Sequence, residues 1–251
     1  MAKLTGANLL EMPADAGVLF SGRLFKVANF GFQQATVRNA IRLTNATMHR
    51  IFPRLFFFSA VVAIAGCATR EVPPSVEQPI ISVSQWGGSP ANETLARHHK
   101  IDKITLHHQG MAFPRGKDPQ QYLRDLQSWS RKTKGWIDVP YHYVIDLDGH
   151  TYEARDIRFS GDTNTSYDPA GHALIEVVGN FEEVEANTAQ LEAVVNLMAL
   201  LAMRYQIPVE SIRGHRDYAD TECPGKNLYR YLENGYFHTQ VRARLTRAGK
   251  L

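Results

Sequence analysis

The residues best suited to chemistry are two histidines and a cysteine. His215 and Cys223 lie eight residues apart in the segment GHRDYADTECPG, residues 214–225. The glycines and the proline of that segment favour a loop, in which both side chains can turn toward one point. A third such residue, His107, directly follows a short β-prone run. Imidazole nitrogen and cysteine thiolate are ligands that zinc prefers, and a catalytic zinc takes three of them and keeps a fourth position open.

Each of these residues also has an ordinary structural explanation. A histidine at a strand end is more often a hydrogen-bonded or surface residue than a ligand, and a buried cysteine often acts as a small apolar side chain. His107 and His108 are adjacent, so they face opposite sides of a strand and only one of them can face a metal. Spacing alone leaves both the metal site and the structural explanation open.

The elements that must position these residues alternate between strands and helices. Apolar residues at helical spacing predict helices, and short β-prone runs separated by turn residues predict strands. The predicted fold class is α/β, a single domain with a central mixed β-sheet flanked by helices. The predicted strands are Ile104–Leu106, a hairpin of Tyr141–Leu147 with Thr151–Glu153, and Ala173–Val178; the predicted helices are Pro119–Trp129, Thr188–Tyr205 with Asn187 or Thr188 as N-cap, and Leu228–Leu245.

The N-terminal part of the chain has the pattern of an export signal. Residues 48–66 carry Arg50 and Arg54 ahead of an apolar run of about a dozen residues, which is shorter than the roughly 20 that span a bilayer and is typical of a signal peptide. The segment IAGC, which ends at Cys67, resembles a bacterial lipobox. This predicts lipidation of Cys67 and an outer membrane lipoprotein that faces the periplasm of a Gram-negative bacterium, because Ala68 follows the cysteine. The alternative is a buried apolar helix that ends in a core cysteine.

The predicted domain organisation follows from that signal. Residues 1–47 form an upstream segment. It is either translated from an upstream start codon and not part of the native protein, or it is a cytoplasmic pre-segment. Residues 48–66 form the signal peptide, and residues 67–80, rich in proline and polar residues, form the lipidated cysteine and its tether. Residues 81–245 form the folded domain. If Cys67 carries lipid, Cys223 cannot pair with it, and an unpaired thiol in an oxidising compartment is well explained by metal binding.

The charge distribution argues against a nucleic-acid partner. The formal net charge is +3, but residues 1–67 hold seven basic and two acidic residues. From residue 68 onward, acidic residues outnumber basic ones by two. No lysine- and arginine-rich face with interleaved aromatic residues occurs there, as nucleic-acid binding requires.

Several ordered segments together resemble the amidase-2 superfamily, which includes peptidoglycan recognition proteins and bacterial N-acetylmuramoyl-L-alanine amidases. The resemblance covers roughly Ser82 to Tyr231. The resemblance is specific because the order, the spacing and the residue types of these segments all agree with the family pattern. The segments that carry it are SVSQWGG, ITLHHQG, GWIDVPYHYVIDLDGHTYEAR, VVGNF, AQLEAVVNLMALLAMRY and GHRDYADTECPG.

The resemblance implies a zinc-dependent amidase that cleaves the bond between N-acetylmuramic acid and L-alanine in peptidoglycan or its muropeptides. It assigns His107, rather than His108, with His215 and Cys223 as the Zn²⁺ ligands. Tyr141 matches a tyrosine that lies beside the metal-bound water in this family. Thr221 matches a position that lysine or threonine occupies in catalytic members. The chain is expected to act as a monomer, anchored to the membrane through Cys67.

Two further interpretations accompany this one. The first is a non-catalytic peptidoglycan-binding lipoprotein on the same fold; such members typically lack the cysteine ligand. The second is a structural lipoprotein with a zinc-stabilised loop. One feature departs from the family pattern: the segment Phe159–Asp162 holds no histidine where many members have one, although Asp162 stands there and His172 follows later. The sequence identifies no proton donor for the leaving amine.

Overall fold

The computed structural model describes residues 78–250. The predicted upstream segment, the signal peptide, Cys67 and most of the tether lie outside these residues. Within the described part, no helix combines the length and the apolar character needed to cross a membrane.

A six-stranded mixed sheet forms the centre of the domain. The strands are β1 (Ile80–Ile81), β2 (Lys103–His108), β3 (Tyr143–Ile145), β4 (Thr151–Glu153), β5 (His172–Val177) and β6 (Ile212–Gly214). Their order in the sheet is β1-β4-β3-β5-β2-β6, and every neighbouring pair is parallel except the antiparallel pair β3 and β4. This confirms the predicted fold class and the predicted hairpin.

The helices are α1 (Pro119–Lys132), α2 (Thr188–Tyr205), α3 (Lys226–Glu233) and α4 (Tyr236–Arg247). The first two begin at side chains that cap free backbone N–H groups. Asp118 accepts from the Gln120 N–H at the start of α1, and Asn187 forms a reciprocal capping box with Gln190 at the start of α2. Helix α2 has the predicted bounds, and α1 continues three residues beyond its predicted end at Trp129.

The two faces of the sheet differ in composition because successive residues of a strand point to opposite sides. On one face, which we call the core face, apolar strand residues belong to one buried cluster with residues of α2, α3 and α4. The opposite face, which we call the site face, lies on the side of α1. The core face comprises Ile104, Leu106, Tyr143, Ile145, Ala173, Ile175 and Val177, and the site face comprises Thr105, His107, Val144, Leu174 and Glu176.

The C-terminal prediction of one helix over Leu228–Leu245 is wrong. The chain forms two helices there, separated by Asn234 and Gly235. Gly235 adopts a φ of +75°, which ends a right-handed helix and is readily reached only by glycine. The Asn234 side chain then accepts from the Tyr236 N–H at the start of α4. The apolar periodicity continues through this break and therefore conceals it.

Residues just before 81, the predicted start of the folded domain, already contact the sheet. Ile80 already pairs with Thr151 in the sheet, and the Gln78 side chain donates a hydrogen bond to the Thr151 hydroxyl. The signal for a strand is weak there because β1 is only two residues long.

Candidate metal centre

The fold brings the three predicted ligands together. His107 lies near the end of β2 and His215 directly follows β6; because these strands are parallel neighbours, their ends meet at one edge of the sheet. Cys223 reaches the same point from the following loop. One ligand atom from each residue lies within 4.8 Å of the others, and Cys223 Sγ is 3.6 Å from His107 Nδ1.

The loop that carries Cys223 is fixed by hydrogen bonds on both sides. The Arg216 N–H donates to the Cys223 carbonyl oxygen, and the His108 N–H donates to Cys223 Sγ at 3.4 Å. Gly225, two residues on, has a φ of +84°, and a side chain there would collide with backbone atoms of Phe181. Only glycine fits this close turn, so the residue helps to direct Cys223 inward.

His108 does not join the ligand set. Its Nδ1 accepts from the Phe181 N–H, and its ring stacks near the Phe181 ring. The expectation that the two adjacent histidines face opposite sides is therefore confirmed, with His107 toward the cysteine.

The protonation states of the three residues suit a cation. Burial lowers the pKa of His107 well below its usual value and that of His215 to about 4, so both imidazoles are neutral at neutral pH with a lone pair to share. Burial also raises the pKa of the Cys223 thiol to about 12. A thiolate at this position needs a neighbouring positive charge, which a divalent metal supplies.

The distance between the sulfur and the nitrogen also fits zinc. Tetrahedral coordination with bonds of about 2.3 Å to sulfur and about 2.0 Å to nitrogen places those two ligand atoms about 3.5 Å apart. The separation of 3.6 Å between Cys223 Sγ and His107 Nδ1 agrees with this value. Two neutral imidazoles and one cysteine form a three-ligand set typical of catalytic zinc sites.

A cavity of about 920 Å³ opens directly over the three residues. This volume is in the range of small-molecule binding sites. The walls are formed by side chains from several separate loops, so a ligand in the cavity contacts parts of the chain that are distant in sequence. Among the lining residues are Trp136, Tyr141, Asp162, Thr165, Asn180 and Thr221.

Tyr141 and Thr221, the two predicted catalytic residues, both line this cavity. The Tyr141 ring lies 5.2 Å from the His107 ring, between centroids. Burial, followed by the nearby Glu176 carboxyl group, raises the pKa of Tyr141 well above its usual value, so the hydroxyl keeps its proton. Thr221 Oγ1 accepts from the Cys223 N–H at 3.2 Å, which stabilises the loop and does not use the hydroxyl hydrogen.

Glu176 is a functional candidate that the sequence prediction missed. It lies in β5 directly beside His107 of β2, on the site face, and is 1% exposed. Tyr122 donates a hydrogen bond of 2.8 Å to Oε1, whereas Oε2 has no partner among the described residues. Burial raises the pKa of Glu176 to about 8. The available signal was a single charged residue inside the apolar run 173–178.

Asp162 and His172, noted where the sequence departs from the family pattern, occupy different places. Asp162 lines the cavity and forms an ion pair of 2.5 Å with the buried Arg155. The imidazole of His172 instead hydrogen-bonds the Thr105 hydroxyl at 2.7 Å. Asp162 therefore stands at the cavity wall with its charge compensated, and His172 lies outside the lining.

The site is thus a His–His–Cys cluster that could hold a metal ion, under a large cavity of an α/β domain. A family model described as N-acetylmuramoyl-L-alanine amidase matches residues 97–226. This match covers more than half of the chain, which belongs to that family, the amidase-2 family.

Similar proteins include some named as peptidoglycan recognition proteins and one named as an amidase. Mouse peptidoglycan recognition protein 1 is 28% identical over 188 residues, which cover 72% of this chain and 97% of the mouse protein. Human N-acetylmuramoyl-L-alanine amidase is 29% identical over 129 residues, or 50% of this chain and 22% of the human protein. The crystal structure of Drosophila peptidoglycan recognition protein SD superimposes with a TM-score of 0.55 at 26% identity, covering 62% of this chain and 94% of the other.

Proposed function

We propose that this domain is a zinc-dependent amidase that hydrolyses the bond between N-acetylmuramic acid and L-alanine in peptidoglycan or muropeptides. The observation that carries the proposal is the convergence of His107, His215 and Cys223 at the floor of the cavity. Family membership supports the substrate class, because the family takes its description from this amidase.

Zinc held by these three residues would act as a Lewis acid beside the scissile carbonyl and make water a stronger nucleophile. The chain itself must then stabilise the charge that develops on the carbonyl oxygen. We assign this role to the Tyr141 hydroxyl, which stays protonated, and to the hydroxyl hydrogen of Thr221 as a second donor. The support is that both residues line the cavity.

Glu176 is our candidate for proton transfer. Hydrolysis breaks the amide C–N bond, adds a hydroxyl group to the carbonyl carbon and adds a proton to the leaving nitrogen of L-alanine. A carboxyl group with a pKa of about 8 can accept the proton of water and return it near neutral pH. Oε2 is the atom for this role because Oε1 already accepts from Tyr122. The role requires that Oε2 can exchange a proton with a molecule in the cavity. The variant Glu176→Gln tests this requirement.

Digestion of purified sacculi and of defined muropeptides tests the proposal. Mass spectrometry should detect free stem peptides that begin with L-alanine and glycan with intact lactyl groups. Treatment with a chelator should stop their release, and addition of zinc should restore it. A preparation that contains zinc, is folded and releases no peptide would contradict the proposed activity.

The alternative is a non-catalytic peptidoglycan-binding protein on the same fold. It is favoured by the relatives named as recognition proteins. The presence of Cys223 supports the enzyme instead, because non-catalytic members typically lack the cysteine ligand. Binding of muropeptides without cleavage, measured by calorimetry and mass spectrometry on one sample, would favour the receptor. Unfolding of an inactive protein by a chelator would favour a structural zinc loop.

We also propose that residues 48–66 direct export and that Cys67 carries the lipid that holds the domain at the outer membrane, facing the periplasm. The order of basic residues, apolar run and small residues before Cys67 supports this. Labelling with a palmitate analogue should mark the wild-type protein and not the Cys67→Ala variant. Equal labelling of both would exclude lipidation at this residue.

A further inference from the structure

One short loop contacts the outer nitrogen of both histidines of the metal centre. Thr165 Oγ1 is 2.7 Å from His215 Nε2, and the Tyr167 hydroxyl is 3.4 Å from His107 Nε2. The two residues lie in the segment 163–167, which precedes β5 and carries no ligand of its own. A single loop thus reaches both imidazoles.

The geometry decides which nitrogen of each ring is available to a metal. His107 Nδ1 is the nitrogen near Cys223 Sγ, so Nε2 points away from the cluster toward Tyr167. In His215, Nε2 is engaged by Thr165, which leaves Nδ1. A neutral imidazole that binds metal through Nδ1 carries its hydrogen on Nε2. In both rings Nε2–H is then the donor, and the two hydroxyl oxygens accept.

The Thr165 hydroxyl is itself oriented for this task. Its oxygen lies 2.8 Å from Thr163 Oγ1, and the Thr165 N–H also donates to Thr163 Oγ1. Because the Thr165 hydroxyl hydrogen can point at Thr163, its oxygen is left to accept from His215. The Tyr167 ring packs against the His215 ring at 5.1 Å between centroids and so limits rotation of that imidazole.

Ion pairs hold the loop at both ends. Asp162, just before it, pairs with the buried Arg155, and Asp168, just after it, pairs with Arg97. A loop anchored in this way can define the positions of hydroxyl groups without a helix or strand of its own.

We propose that Thr165 and Tyr167 are positioning residues that set the tautomer and orientation of His215 and His107, so that both rings present Nδ1 to zinc. The inference rests on the proposed zinc site. Removal of an outer hydrogen-bond partner of a metal-binding histidine typically weakens metal binding by about 10- to 100-fold. Thr165 should have the larger effect, because its contact of 2.7 Å is much shorter than that of Tyr167 at 3.4 Å.

The test measures zinc affinity of the full chain by competition with a chromophoric chelator. Thr165→Val removes the acceptor and preserves the shape, and we expect zinc binding about 10- to 100-fold weaker. Thr165→Ser restores the hydroxyl and should restore most of the affinity. Tyr167→Phe should weaken binding less than Thr165→Val does. Ser166→Ala, at an exposed residue of the same loop, is the matched control and should bind zinc like the wild type.

The outcomes separate this inference from the proposed zinc site. Failure of the wild type to bind zinc would remove the site and the inference with it. Zinc binding by Thr165→Val equal to the wild type, or an equal loss in Ser166→Ala, would overturn the positioning role alone. Nitrogen-15 correlation spectra of the zinc-loaded wild type give a second readout. They should show a proton on Nε2 of both histidines, and a metal-bound Nε2 would contradict the inference.

Discussion

The core face and the site face of the sheet come from the same strands and serve opposite purposes. On the core face, Leu106 and Ile175 are fully buried against helix α2 and its neighbours, where shape and apolar area decide stability. One residue further along each strand, His107 and Glu176 are almost as deeply buried, yet they are polar. Their burial costs free energy unless each polar atom finds a partner.

The site face compensates this cost by specific hydrogen bonds. Tyr122 donates to Glu176, and Thr105 hydrogen-bonds His172. Glu176 Oε2, which has no partner among the described residues, and the three clustered ligand residues are the groups that we assign to chemistry. Because successive side chains of a strand point to opposite faces of the sheet, stability and function can be altered separately at adjacent residues.

The change with the largest expected effect is Cys223→Ser. A serine hydroxyl is a much poorer zinc ligand than a thiolate, so the cluster loses one of its three ligands. We expect zinc content and peptide release to fall to background, with zinc binding weakened by more than the roughly 100-fold typical of an outer partner. Metal analysis and mass spectrometry of digests measure both. Peptide release at wild-type levels would show that the cluster is not the zinc site.

Glu176→Gln should have the next largest effect. It keeps the shape and the bond from Tyr122 but removes the group proposed to carry the proton. We expect kcat to fall by about 100- to 10,000-fold, the usual contribution of acid–base catalysis. Zinc affinity should change little, which distinguishes this variant from Cys223→Ser. The matched control is Glu233→Gln at the exposed end of α3. Equal activity of the wild type and both glutamine variants would exclude Glu176 from the reaction.

Leu106→Ala tests the other face directly beside His107. Leu106 is fully buried in the core cluster, and truncation of such a leucine destabilises a protein by about 2–5 kcal/mol. We therefore expect lower stability in chemical denaturation but nearly unchanged zinc affinity of the folded protein. If zinc affinity fell by the roughly 10- to 100-fold that we expect for Thr165→Val, the two faces would be coupled and could not be altered separately.

The sequence predicts elements whose periodicity is not broken by a turn, and sites that are marked by a local motif. Helix α2 starts and ends where its apolar repeat and its N-cap Asn187 indicate. The loop containing His215 and Cys223 was recognised because its residue types and spacing suit a metal. These features are local, so no knowledge of neighbouring strands is needed to recognise them.

Two features of the site were not predicted, because one depends on strand register and the other on a loop that has no recognisable motif. Glu176 gains its importance only because β5 lies beside β2 in a register that places it next to His107. Thr165 and Tyr167 lie in a segment without periodicity, and only the tertiary structure brings their hydroxyl groups to the two imidazoles.

An effect that vanishes at neutral pH and grows on acidification concerns a histidine of the same polar region, His142. The Leu174 N–H donates to its Nδ1, and its Nε2–H donates to the Phe159 carbonyl oxygen. The bond accepted by Nδ1 requires the neutral ring, because a protonated Nδ1 has no lone pair to offer the Leu174 N–H. Burial lowers the pKa of His142 to about 3. The unfolded chain binds this proton near pH 6.5. Stability from His142 is therefore complete above about pH 6.5 and is lost as the pH falls toward 3, by about 1.4 kcal/mol per unit.

A pair of proteins isolates this effect from the other buried histidines. Wild type and His142→Gln are unfolded by urea at several pH values between 7 and 4, both with a chelator so that the ligand histidines behave alike in each. The variant should be less stable at pH 7, because glutamine replaces the two bonds imperfectly, but its stability should decline less steeply on acidification. The difference in slope should approach about 1.4 kcal/mol per pH unit below pH 6. Parallel curves would mean that His142 accepts a proton in the folded protein as readily as in the unfolded chain. The stability of the fold around His142 would then not depend on a neutral imidazole.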